Sequence, residues 1–224
     1  MDLAEELNKQ LDINTVFRIG SIRVTEGVFV TWIIMAVLLV VCFFLTRGFT
    51  TRNCSRRQIA VEAFVVWLEK LIGGMLGEEA LEYRTWLCTV IIYIGVSNMA
   101  GLFGAKPPTR DMNMTIALAL TSIVLVQIAG IRKKGCGGYL KAFAHPVAIV
   151  APLNVLELFI KPLSLCMRLF GNVLGAFVIM ELIKYVLPVG LPVIFSFYFD
   201  IFDGLLQAYV FVFLSALYIQ EAVE

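Results

Sequence analysis

Arg168, Asn172, Glu181, Asp200, Asp203 and Gln207 interrupt sequence that is otherwise apolar. A guanidinium cannot shed its proton to escape a dry environment. Placing one at the centre of a bilayer costs about 3 kcal/mol or more, so such a charge has a partner or a task. No acid follows Arg168 within two helical turns, and Glu157, three turns before it, lies beyond Pro162. A counter-charge therefore has to come from another helix or another subunit. Asp200, Asp203 and Gln207 are spaced i, i+3, i+7, which puts them on one helix face. Carboxylates at membrane depth face protein interior or water and mark ion pathways. Beside a wet cavity they can take up and release a cation. The competing reading leaves Asp200 and Asp203 merely solvated at an interface, because Pro188 and Pro192 mark a turn shortly before them.

Ser164, Arg168, Gly171, Asn172 and Gly175 share another face, at i, i+4, i+7, i+8 and i+11. Small residues there let a neighbouring helix come close. The alternative is a packing stripe over which Arg168 snorkels, although such a stripe has no need of an arginine. Glu181 and Lys184 at i, i+3, and Glu157 and Lys161 at i, i+4, are spaced to pair locally. His145, the single histidine, precedes Pro146 and is a weak candidate for an ion role.

These residues need a membrane to position them, and the composition supplies one. Of the 224 residues, 60% are hydrophobic and 16% charged, and mean hydropathy is +0.88. A soluble domain is nearer half apolar and a quarter charged. The net charge of +1 argues against nucleic acid. The five cysteines are scattered with no CxxC pair, so neither a disulfide framework nor a metal site is expected. No phosphate loop or cofactor motif is present.

The fold class expected is an all-α polytopic membrane protein. Five stretches approach the 20 or so apolar residues that cross a bilayer. They run at about 28–46, 86–104, 114–131, 162–187 and 192–219. Between the first two, 56–75 alternates apolar and charged residues at helical spacing and reads as an amphipathic segment lying on the surface or against the bundle. Residues 139–160, broken by Pro146 and Pro152, read as an interfacial or broken helix, and Gly135–Gly138 as a flexible connector. Residues 1–27 form an N-terminal outer segment and 28–224 a single membrane domain. Arg47, Arg52, Arg56 and Arg57 follow the first span, and Arg132, Lys133, Lys134 and Lys141 the third, whereas the loop before the third has only Lys106 and Arg110. Positive loops face the cytoplasm, which puts the N-terminus outside and the C-terminus inside.

The run Pro162-Leu163-Ser164-Leu165-Cys166-Met167-Arg168-Leu169-Phe170-Gly171-Asn172 resembles the signature of subunit a of bacterial F-type ATP synthase. Lys106 to Thr115 (KPPTRDMNMT) is similar to that family's loop before its third span, and Leu206 to Phe211 (LQAYVF) to its C-terminal helix. The resemblance implies an ion-translocating stator subunit in the bacterial plasma membrane, resting against a rotating c-ring and held by the peripheral-stalk subunit b among lipid. It implies long, tilted last helices, two offset half-channels and an essential arginine, here Arg168. Asn172 and Gln207 take the positions of polar residues beside it, and Ser164, Gly171 and Gly175 face the rotor. ATP chemistry, on this reading, belongs to partner subunits. The coupling ion, H⁺ or Na⁺, stays open.

The sequence departs from the family pattern in places. Many members carry a glutamate where Phe177 stands, and Glu181 lies one turn further on. Many have histidine or glutamate where Asp200 stands, so Asp200, with Asp203 assisting, takes the relay role. A secondary ion-coupled transporter is the alternative class, but no internal repeat supports it. A membrane enzyme would need a nucleophile–base pair or metal ligands, and neither occurs at the required spacing.

Overall fold

The computed structural model describes residues 15–19, 22–50, 55–103, 107–144, 151–186 and 190–223. An antiparallel hairpin, β1 (Thr15–Ile19) and β2 (Ile22–Thr25), leads into helix α1 (Glu26–Thr46). The rest is helical: α2 (Arg56–Leu76), α3 (Arg84–Met99), α4 (Met112–Ala144), α5 (Ala151–Val186), α6 (Leu191–Ser196) and α7 (Gly204–Val223). A π-helical segment, Phe197–Asp203, joins α6 to α7. Five helical stretches are long and apolar enough to cross a membrane: Glu26–Thr46, Ala80–Leu102, Met112–Gly135, Leu156–Tyr185 and Ile194–Val223. The membrane domain is therefore all-α, as expected.

Two boundaries differ from the sequence reading. The fourth span was expected to start at Pro162, but α5 runs unbroken from Ala151 with Pro162 inside it. Proline there forfeits one backbone hydrogen bond, which a long helix packed against its neighbours can absorb. With 36 residues, α5 is about 54 Å long at 1.5 Å per residue. That exceeds a hydrocarbon core of about 30 Å, so α5 must tilt or protrude. The glycine run after the third span breaks α4 at Gly135 (φ 71°, ψ 159°), yet helix resumes to Ala144. His145, Pro146, Pro188, Lys106, Arg52 and residues 1–14 lie outside the described residues.

The core is organised around α7, which buries Gln207, Ala208, Phe211, Val212, Ser215, Ala216, Ile219 and Val223. Against it pack Leu68, Ile72 and Leu76 of α2, Leu87, Val90 and Ile94 of α3, Ala119 and Val126 of α4, and Leu165 and Leu169 of α5. Lipid is as apolar as these side chains, so close dispersion contact holds the bundle, and the small residues of α7 make that contact possible. In α2, read as amphipathic, Leu68, Ile72 and Leu76 are buried against the bundle, while the apolar Ile59, Phe64, Val65 and Trp67 are exposed on its other side. Helix α1 buries only Thr31 and Ile34, leaving Trp32, Leu39, Phe43 and Phe44 exposed.

Polar clips fix the two ends. At one, Thr25 Oγ1 donates to Asp111 Oδ2 at 2.6 Å, and Asp111 Oδ1 accepts the Asn113 amide at 3.0 Å at the start of α4. At the other, Lys161 Nζ of α5 donates to both Glu221 oxygens of α7 at 2.9 and 2.8 Å. The expected Glu157–Lys161 pair is also present, at 3.4 Å.

Candidate functional site

Helix α5 is bonded to the start of α7 through Asn172 and Gln207, and beyond that contact a gap lies between α5 and the segment leading into α7. The gap is a cavity of about 840 Å³. Glu181 and Lys184 reach it from α5, Asp200, Asp203 and Gln207 from the π segment and α7, Asn98 and Gly101 from the end of α3 and the turn after it, and Arg110 from the loop before α4. Glu181, Asp200, Asp203 and Gln207, which the sequence pointed to on two separate faces, thus line one space.

The three carboxylates are held differently. Glu181 Oε1 accepts from Lys184 Nζ at 2.9 Å, the local pair that the spacing suggested. Asp200 Oδ2 accepts from Ser196 Oγ at 2.6 Å. Its carboxylate lies so close to Gly101 that a Cβ there would stand 2.6 Å from Oδ1. Asp203 is half-buried and has no hydrogen bond or ion pair among the described residues. The turn that carries Asp200 and Asp203 is π-helical. Such turns insert an extra residue, disturb α-helical register and recur at functional sites.

At its inner end the cavity meets Gln207, 2% exposed. Gln207 Oε1 accepts from Asn172 Nδ2 at 2.6 Å. Gln207 Nε2 is buried with no partner among the described residues, leaving a donor available to a hydrogen-bond acceptor such as water. Arg168, one turn from Asn172, lies outside the cavity on the open flank of α5. Leu165, Cys166 and Leu169 turn inward, whereas Met167, Arg168, Gly171 and Asn172 are exposed. Arg168 has no ion pair or hydrogen bond among the described residues. Its expected counter-charge on another helix is not found among the described residues. Gly171 and Gly175 lie on the same flank, with nothing within 4 Å of where a Cβ would stand, and Ser164 is half-buried.

Sequence reasoning missed several contributors. Asn98 Nδ2 donates to the Gly204 carbonyl at 2.9 Å, and Thr109 Oγ1 donates to Asn98 Oδ1 at 2.7 Å. Gly204 is needed there, because a Cβ would come within 2.9 Å of the Asn98 Cβ. Arg110 lays its guanidinium over Phe177, 3.5 Å from the ring centroid. Burial pushes the Arg110 pKa down from its ordinary value, while the charges of Glu181 and Glu26 act the other way. As an arginine it stays a cation at neutral pH. Loop residues that reach a site from 60 or more positions away leave no periodic signal in the sequence.

A family model described as ATP synthase A chain matches residues 28–220. The chain is 37% identical over 212 residues to ATP synthase subunit a of Moorella thermoacetica, covering 93% of this chain and 95% of that one. It is 35% identical over 208 residues to ATP synthase subunit a 2 of a Bradyrhizobium species, covering 92% of each. A protein of Propionigenium modestum named "ATP synthase subunit a, sodium ion specific" is 31% identical over 216 residues, covering 89% of this chain and 74% of that one.

Proposed function

This chain belongs to the ATP synthase A chain family, and we propose that it is the ion-translocating stator subunit of an F-type ATP synthase in a bacterial plasma membrane. The observation that carries this reading is the placement of Arg168. Unpaired among the described residues, it stands on an open flank, separated from a carboxylate-lined cavity by one hydrogen-bonded pair, Asn172 and Gln207.

In this reading the cavity is the outer half-channel. A cation enters at the end where Arg110 and Glu181 stand, is held by Asp200 and Asp203, and is passed inward at Gln207 and Asn172. It then loads a carboxylate on the c-ring, which runs along the flank formed by Ser164, Gly171 and Gly175. Arg168 attracts the ionised ring carboxylate and favours loss of its ion toward the second half-channel. Its fixed charge also bars a cation from leaking straight between the half-channels. The driving force is about 2.3 kcal/mol per charge for each 100 mV across the membrane. The peripheral-stalk subunit b holds the stator still. The N-terminus lies outside and the C-terminus in the cytoplasm, in keeping with the basic residues near Arg47 and Lys133.

The test is Arg168→Ala in the reconstituted complex. ATP-driven ion pumping should vanish while the subunit stays assembled, because a side chain with no described partner leaves no orphan behind. Pumping at the wild-type rate would sink the reading.

A further inference from the structure

A half-channel lined by three carboxylates faces a physical difficulty. Conduction needs binding strong enough for a cation to enter but weak enough for it to leave. Glu181, Asp200 and Asp203 in one cavity would form a cation trap, above all for divalent ions. Among the described residues two cations share the lining, Lys184 and Arg110. Lys184 is tied to Glu181 by direct contact at 2.9 Å, and its side chain is 52% exposed. Arg110 is different. It is half-buried, and its guanidinium carbon lies 3.5 Å from the centroid of the Phe177 ring, which itself lines the cavity. Cation–π attraction grows when the pair is desolvated, so the guanidinium is held in place rather than sampling the solvent. The electrostatic influence of Glu181 and Glu26 reaches it as well.

We propose that Arg110, positioned by Phe177, is a specificity-determining residue of the cavity. With Glu181 offset by Lys184, the fixed charge of Arg110 offsets one of the two aspartate charges, so that Asp200 and Asp203 hold a single monovalent ion loosely and divalent ions are refused. This inference rests on the reading of the cavity as the outer half-channel. Phe177 then has a task of its own, as the platform for the guanidinium. Glu181, flanked by Lys184 and Arg110, is a structural counter-charge, and the transferring acids are the two on the π segment.

Removing one unit charge from the cavity should raise its occupancy by a monovalent cation about threefold or more. For a divalent cation, with twice the charge, the factor squares to about tenfold. The experiment measures ATP synthesis by the reconstituted whole complex at a constant driving force. Ca²⁺ is added as the probe on the side where Thr25 and Asp111 meet. Arg110→Gln should lower the half-inhibiting Ca²⁺ concentration about tenfold, with the effect shrinking as ionic strength rises. Arg110→Lys, which keeps the charge, should stay within about threefold of wild type. Phe177→Leu, which releases the guanidinium but keeps it, should fall between. A uniform loss of maximal rate in Arg110→Gln, with Ca²⁺ sensitivity unchanged, would overturn the proposal. Asp203→Asn serves as the control for the underlying reading. If it leaves synthesis unaffected, the cavity is not the ion route and both readings fall. If it slows synthesis while Arg110→Gln leaves Ca²⁺ sensitivity unchanged, only the role of Arg110 falls.

Discussion

Gly204→Ala is the sharpest probe of how the cavity is built. Gly204 sits between Asp203 and Gln207, pressed against α3, and a Cβ there would stand 2.9 Å from the Asn98 Cβ. Ordinary contact begins at about 3.4 Å. Asn98 cannot swing aside, because it is 4% exposed and bonded on both sides, to the Gly204 carbonyl at 2.9 Å and to Thr109 at 2.7 Å. Helix α7 would therefore retreat by roughly half an ångström. Overpacking of this kind costs about 1–3 kcal/mol, and straining the buried Asn98–Gly204 hydrogen bond adds about 1 kcal/mol. Replacing a helical glycine with alanine returns about 0.5–1 kcal/mol. The net expectation is a loss of about 1–3 kcal/mol. Gly171→Ala is the matched control, since nothing lies within 4 Å of its Cβ position. It should leave the isolated subunit unchanged or slightly more stable. Equilibrium unfolding of the purified subunit in mixed micelles compares the two. If Gly204→Ala proves as stable as Gly171→Ala, α3 and α7 do not meet as closely as stated here.

Three further outcomes are expected. Asp200→Asn should slow ion flux through the reconstituted complex more than Glu181→Gln does, since Glu181 is already paired with Lys184 at 2.9 Å; the reverse order would assign the outer channel to α5 rather than the π segment. Gly175→Leu adds an isobutyl group to the open flank, so it should leave the subunit folded but slow ATP-driven pumping severalfold in the complex, and full coupled activity would mean the ring does not run there. Lys161→Met removes the tie between α5 and Glu221; because both acids are exposed, the cost should be no more than about 1 kcal/mol and should fade in high salt, as thermal unfolding at two ionic strengths would reveal.

What was legible in the sequence divides along physical lines. Apolar length marks a span wherever it occurs, so all five crossings could be read. Faces set by i, i+3, i+4 and i+7 spacing were also readable, and they brought Asp200, Asp203 and Gln207 together even across a π-helical turn. The pairing of Glu181 with Lys184 followed from the same local geometry. Contacts between distant segments left no such trace. Arg110 on Phe177, Lys161 on Glu221 and Asn98 on Gly204 depend on how helices lean on one another. Pro162 misled because proline usually ends a helix, whereas α5 continues through it. The two glycines the close approaches require, Gly101 and Gly204, carry no local signature, since neither has a positive φ. Gly171 and Gly175, read as allowing close approach, meet nothing within 4 Å among the described residues.

The exposure of Arg168 links assembly to mechanism. Facing lipid, its guanidinium would cost about 3 kcal/mol or more, and no acid of this chain among the described residues offsets that. The flank is therefore poorly suited to lipid and well suited to a partner carrying a carboxylate at the same depth. A fixed partner would satisfy the charge but hold it permanently. Under the proposed function, a ring that presents one carboxylate after another would satisfy it in turn, and each would have to gain an ion before it leaves. The Asn172–Gln207 pair sits one turn away, where that ion would arrive, and the loosely held Asp203 lies one turn beyond Gln207. Under the proposed function, the same energy that makes an arginine unfavourable here would make ion loading the condition for the next step of rotation.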